Sequence, residues 1–441
     1  MRFPILLLAA VLAIAGFGYL ISRDSGTANA APRIAELDTA FGPASFTEAR
    51  ARADDDVATK RKRLATAPDQ WLHQEGLASA LFGRFSLSGE RGDLVEARDL
   101  LEDGLRRAPN PSGPTLTLAL VALADHDLDR AAAALDRFDL TAARRTPVDR
   151  SEAAAMRGDI AFQRGDLAEA KAHFARADAD APSFGTKLRL ANAKLWSGDA
   201  QGARQLAERA MAAKDRSPMG FADAALLMAN LSYAQGDLPR AQEWIAAARN
   251  EFADYWLADA YAAQTLAATG EGEEAVARLT ELAQRTGEPD VIDVLTGVLL
   301  HRGEKASAER WSARAGAAWE ARMVEAREAY RLHAAEHYLD FGDPARALAL
   351  AREEVAARPF GEAIEVLASA LTATGRPEQA LAWLERAEAD GWRAVSLDLA
   401  RSDALEALGQ KREARRYLDR ARAVNPMAGS EERKLIRFGH F

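Results

Sequence analysis

The sequence predicts an all-α chain built as a solenoid of about ten stacked helical hairpins. Ten alanines pace it: Ala97, Ala131, Ala170, Ala203, Ala241, Ala275, Ala308, Ala347, Ala380 and Ala414. Their intervals are 34, 39, 33, 38, 34, 33, 39, 33 and 34 residues. Runs of β-branched residues with alternating polarity, the signal of strands, do not appear. With 441 residues, 48 % of them hydrophobic and 28 % charged, the chain can bury a large core. In a solenoid that core grows one repeat at a time as a single body.

The N-terminus comes first. Phe3 to Ile21 is almost uninterrupted apolar sequence after Met1-Arg2, and Ser22, Arg23 and Asp24 end it. The stretch is about long enough to cross a bilayer as a helix. Ala28-Asn29-Ala30 before Ala31 has the small-residue pattern of a signal-peptide cut. Residues 1–22 are therefore either an uncleaved transmembrane anchor or a cleaved signal. Arg2 lies before the segment and Arg23 and Arg33 after it, so charge hardly sets the orientation. A short N-terminus ahead of a long body favours export. The expectation is a single-pass inner-membrane protein with a periplasmic repeat domain, or a soluble periplasmic one if the signal is cut. Abundant Ala and Arg fit a bacterium with a GC-rich genome. The absence of cysteine excludes a lipid-modified N-terminus of the lipoprotein type, disulfides, thiolate zinc sites and thiol nucleophiles.

Residues 23–66 read as a spacer followed by a charged helix. Gly26, Pro32, Gly42 and Pro43 punctuate the first half, and from Phe46 the sequence is helical to about Ala67-Pro68. Lys60-Arg61-Lys62-Arg63 follows Asp54-Asp55-Asp56, which predicts a solvated helix with local ion pairs. A net charge of −9 lacks the basic field that nucleic acid demands.

Residues 67–426 carry the repeats. The best copy runs from Ser151 to Pro182 and contains Gly158, Ala161, Gly165-Asp166-Leu167, Ala170, Phe174 and Ala177. Small residues at Gly158 and Ala170 let two helices approach, Phe174 fills space between hairpins, and Gly165-Asp166 allows the tight turn. Pro182 stops the second helix. Corresponding turns are expected at Gly92-Asp93, Gly198-Asp199, Gly236-Asp237, Gly270, Gly303, Gly342-Asp343, Gly375 and Gly409, with His126 in the glycine's place in the second copy. Closing prolines recur at Pro109, Pro359 and Pro426. This pattern resembles the tetratricopeptide repeat, although that family's early tryptophan is mostly absent. The resemblance implies a right-handed superhelix. The longer intervals place extra residues at Asp139–Asp149 and Ala213–Met219, read as loops with Pro147 and Pro218, and at 317–330, read as added helical turns.

The resemblance also implies a concave groove lined by the first helix of each hairpin. Carried onto this chain, the partner-binding groove holds Arg189, Asn192, Trp196, Asp223, Asn230, Tyr233, Tyr261, Gln264, Asp290, Asp293, Glu336 and Asp340. Glu152 and Asp159 precede these, and Glu362, Glu365, Asp403 and Glu406 continue the line. Leu188 and Leu226 stand where the family's carboxylate-clamp lysines would, which argues against capture of a C-terminal carboxylate. The middle of the groove offers amides and aromatics for a peptide. Its C-terminal half is acidic and favours a basic partner segment. Trp244, Trp311, Trp319 and Trp383 fall on second helices and read as packing residues.

His333-Ala334-Ala335-Glu336-His337 matches an HxxEH zinc-peptidase string, with both histidines on one helical face. It sits in frame inside a repeat, so His333 and His337 are metal candidates of last resort and no cofactor is expected. No phosphate-binding loop, dinucleotide fingerprint or nucleophile elbow occurs. Residues 427–441 read as a tail capping the last hairpin, with Phe438 and Phe441 as an alternative docking peptide. The expected function is a membrane-tethered, non-enzymatic scaffold that binds a protein or peptide of an envelope assembly. Its alternatives are a cytoplasm-facing anchored regulator that delivers a client protein, and a zinc-dependent hydrolase at His333, Glu336 and His337.

Overall fold

The structure, a computed structural model, describes residues 41–109, 111–141, 144–211 and 217–438. The expected anchor or signal at 1–22 lies outside them, as does the first part of the spacer. Among the described residues no helix is long and apolar enough to cross a membrane.

Helix α1 (Phe46–Thr66) precedes ten hairpins. The first four are α2–α3 (Trp71–Ser88, Arg91–Arg107), α4–α5 (Thr115–Ala124, Leu128–Asp139), α6–α7 (Pro147–Gln163, Leu167–Asp180) and α8–α9 (Phe184–Trp196, Ala200–Met211). Three more are α10–α11 (Pro218–Ala234, Leu238–Glu251), α12–α13 (Trp256–Ala268, Gly272–Thr286) and α14–α15 (Pro289–His301, Lys305–Glu325). The last are α16–α17 (Arg327–Phe341, Pro344–Ala357), α18–α19 (Gly361–Ala373, Pro377–Ala389) and α20–α21 (Val395–Ala407, Lys411–Val424). A short helix, α22 (Glu431–Lys434), is the last element among the described residues. The fold is an all-α helical solenoid.

Every pacing alanine lies on the second helix of its hairpin and is buried. A methyl group at that place lets the paired helices touch without leaving a void. Gly158 shows how close they come: a Cβ there would stand 2.4 Å from the Phe174 ring. Phe174 therefore packs within its own hairpin. The hairpin turns divide the work between two residues. Gly165 takes φ +86, and Asp166 accepts the Glu169 N–H to cap α7. His126 adopts the same left-handed conformation at φ 59 without being glycine.

Four expected details differ. Gly92 lies inside α3, and the turn glycine of that hairpin is Gly89, at φ 68. Gly342 has φ −132, so the two-residue turn between α16 and α17 contains no left-handed residue. Pro147 and Pro218 are the first residues of α6 and α10, where the missing N–H costs nothing. The reading of 317–330 holds: α15 runs for 21 residues before α16 begins. The charges of α1 pair across to neighbouring helices, Asp54 with Arg84 and Arg61 with Glu96, instead of along their own helix.

The solenoid winds until one edge meets the other. The turns of hairpins α6–α7, α8–α9 and α10–α11 rest on the loops that precede α18, precede α20 and follow α21. Arg393 N–H donates to the Trp196 carbonyl at 2.7 Å, and Asn425 Nδ2 donates to the Tyr233 carbonyl at 3.0 Å. A Cβ on Gly165 would meet the Pro359 carbonyl oxygen at 2.7 Å, and one on Gly236 the Asn425 side-chain oxygen at 2.5 Å. Trp392 sits at the centre of the seam, edge-on to Phe162 and Trp196, with its indole N–H on the Gly165 carbonyl at 3.1 Å. At the start of α1, Phe46 N–H bonds the Ala253 carbonyl at 2.9 Å and its ring stacks on Tyr255.

Candidate peptide-binding groove

The seam changes what the concave face offers. Arg189 is buried and engages both carboxylate oxygens of buried Asp159 at 2.9 Å. Trp196 is buried in the seam against Trp392. Asn230 and Tyr233 are buried, and the Tyr233 hydroxyl bonds Thr265. Asn192 is half-buried. Half-buried Asp223 accepts from the Tyr255 hydroxyl at 2.7 Å, and burial pushes its carboxyl up to about 7. Arg189, Trp196, Asp223 and Tyr233 are thus engaged within the solenoid itself.

Toward the C-terminus the groove residues converge on the chain's own tail. Gln264, fully buried on α12, grips the backbone there. Its Oε1 accepts from the N–H groups of Arg437 and Phe438 at 2.6 and 2.7 Å, and its Nε2 donates to the Phe438 carbonyl at 3.0 Å. Tyr261, one turn earlier, stacks on Phe438 at 5.5 Å between ring centroids and also stacks with Tyr233. The Arg437 guanidinium pairs with exposed Asp340, lies 3.8 Å from Asp293 and covers the Phe341 ring. Burial works against the charge of Arg437, but Asp340, Asp293 and Glu336 more than offset it, so the guanidinium holds its proton above the ordinary range.

The tail is thus no cap on the last hairpin alone. It leaves α21 with Gly429 against Leu418, then crosses the groove until Phe438 reaches α12. Near its arginines stand Asp290 and Asp293 on α14, Glu336 and Asp340 on α16, and Glu365 on α18. Burial and the nearby Glu336 push Glu365 up to about 7, with Arg433 of the tail acting the other way.

The HxxEH string serves packing. His337 is buried and its Nδ1 meets Asp293 Oδ1 at 2.7 Å, while His333 Nδ1 meets Glu336 at 3.2 Å. The Trp319 indole donates to Asp293 Oδ2 at 2.9 Å and stacks on His333. Among the described residues no three His, Asp or Glu side chains converge as a metal-ligand set.

Arg437 and Phe438 lie against the predicted groove residues and were missed by the groove frame. Their signal was present: a basic–aromatic pair following a repeat array whose last groove positions are acidic.

No protein-family model matches the chain, and no curated protein matches it. Among solved structures it is similar to yeast Tom70, at 13 % identity and a TM-score of 0.42, covering 86 % of this chain and 90 % of that one. It is also similar to the Cut9-Hcn1 hetero-tetramer of the APC/C, at 16 % identity and a TM-score of 0.45, covering 89 % and 77 %. A tetratricopeptide repeat protein from Parabacteroides merdae matches at 16 % identity and a TM-score of 0.34, covering 58 % and 98 %.

Proposed function

We propose that the chain is a protein-binding scaffold whose C-terminal concave half holds an extended basic segment of a partner. One observation carries this reading: the Gln264 side chain makes three hydrogen bonds to the backbone of residues 437 and 438 while acidic groups take the arginine between them. Main-chain bonds supply affinity for an extended segment, and the carboxylates supply the preference for a basic one. With residues 1–22 as anchor or signal, the scaffold would stand at the inner membrane with its repeats in the periplasm, gathering components of an envelope assembly.

A photo-crosslinking residue placed at Glu336 or Glu365, with Glu378 on α19 as the control position, tests the groove. The expected result is capture from the two groove positions alone, mapping to an Arg- or Lys-rich stretch of the partner. Equal capture from the control position, or a crosslinked stretch without basic residues, would sink the reading. Protease treatment of spheroplasts carrying a C-terminally tagged chain tests the tether: digestion without lysis with residues 1–22 retained is expected, and protection until lysis would reverse the orientation.

A further inference from the structure

The tail is held as a separate peptide would be held. Its contacts at residues 437 and 438 are main-chain hydrogen bonds to Gln264, a ring stacked on Tyr261, and a guanidinium between Asp340 and Asp293. The main-chain bonds read no side chain. The two acids read the guanidinium, and Tyr261 reads the ring that follows it.

We propose that α12, α14 and α16 form a subsite for an arginine followed by an aromatic residue, that Arg437–Phe438 fills it in cis, and that a partner segment of the same chemistry replaces them in trans. This rests on the groove reading above and names the sequence the groove selects. Two features argue for a replaceable occupant. Arg433 is an imperfect fit: its Nε is buried with no partner, and burial lowers its pKa. The tail brings two arginines to this end of the groove: Arg437 faces Asp340, Asp293 and Glu336, and Arg433 faces Glu365, while Arg331 and Arg358 are taken up by Glu354 of α17. A segment with more basic residues matches that field better. Leu435 and Ile436 are buried with the tail, so a competing segment must also bring apolar groups at those places.

A tethered occupant competes at an effective concentration on the order of 1 mM, so a free peptide binds the intact chain far more weakly than a chain without the tail. The probe is a fluorescent peptide of residues 430–441, followed by anisotropy against the full chain and against a chain ending at Gly429. The peptide is expected to bind the shortened chain at least about tenfold more tightly than the full one. Arg437→Ala or Phe438→Ala in the peptide, or Gln264→Ala in the shortened chain, is expected to abolish most of that binding. A shortened chain that melts cooperatively yet binds the peptide no better than the full chain overturns the proposal, as does binding indifferent to both peptide substitutions. If the shortened chain does not fold, the full chain carrying Arg437→Glu and Phe438→Ala takes its place, with the same two readings. Crosslinking from Glu336 and Glu365 is repeated on the same protein. Capture of a basic partner without peptide binding would remove the cis–trans exchange and leave the scaffold reading standing.

Discussion

The backbone N–H of Arg393 donates to the carbonyl of Trp196 at 2.7 Å, although these residues lie in hairpins separated by nearly half the chain. An open solenoid has contacts only between neighbouring repeats, and its stability is close to a sum of local terms. Here the bond belongs to a seam that joins hairpins α6–α7 to α10–α11 with the last three. The same closure turns much of the concave face into interior. Arg189, Trp196, Asn230 and Tyr233 are buried by it or beside it. The acidic half of the concave face is where the tail lies.

Trp392 should be the seam's most sensitive position. It is buried, meets Phe162 and Trp196 edge-on, and bonds the Gly165 carbonyl. Trp392→Ala should cost about 3–5 kcal/mol in urea denaturation and enlarge the radius of gyration in X-ray scattering. Trp392→Phe keeps a ring and loses one hydrogen bond, so it should cost about 1–2 kcal/mol. Scattering unchanged by Trp392→Ala would mean that the edges stay together without it.

Gly158 tests the packing inside one hairpin. Alanine is the better helix former, yet its methyl group would stand 2.4 Å from Phe174. Gly158→Ala should destabilise by about 1–3 kcal/mol through overpacking. Adding Phe174→Leu should recover part of that loss, because the smaller side chain vacates the collision. If the double variant is no more stable than Gly158→Ala, the clash is not what sets the cost.

The local pattern was legible because it is local. Alanine spacing and Gly165-Asp166 are fixed by one hairpin's own geometry, so one-dimensional sequence displays them; Phe174 was expected between hairpins and packs on Gly158 within its own. The seam was not, because Trp392 meets Gly165 only after a full superhelical winding, and no interval along the chain encodes that distance. The groove residues suffered from this. Tyr233 and Asn230 were named as groove residues and are buried, with the Tyr233 ring and hydroxyl against Tyr261 and Thr265 of the next hairpin. Gln264, Tyr261, Asp293 and Asp340 were named as groove residues and do converge, but on the chain's own tail. His337 and Asp293 were each noted in the sequence, but their pairing spans two hairpins.

Two carboxyls should make stability fall as pH rises. Burial pushes Asp223 from an ordinary 3.8 up to about 7, with the Tyr255 hydroxyl acting the other way. Burial, with help from Asp149, pushes Glu152 from 4.5 to about 7. Between the unfolded and folded values the native chain binds more protons than the unfolded one. Their contribution is therefore full below the unfolded values and is lost as pH rises through about 7. Asp223→Asn and Glu152→Gln remove this dependence, so each variant should gain on the wild type as pH increases. Urea midpoints across that range are the measurement, and a constant difference would show that these groups do not titrate there.

Asp293 should act as a clasp, not as a metal ligand. It is buried, and its two oxygens meet His337 at 2.7 Å and the Trp319 indole at 2.9 Å. Removing it orphans two buried groups, each worth about 1–3 kcal/mol, so Asp293→Ala should cost about 2–6 kcal/mol. Asp293→Asn keeps one acceptor oxygen and should lose roughly half as much. Thermal melting with and without added zinc separates this from the peptidase-like reading of the string. Zinc is expected to leave the wild-type midpoint unchanged. If zinc raised that midpoint and His337→Ala abolished the rise, His337 would be a metal ligand and its pairing with Asp293 would be the means of orienting it.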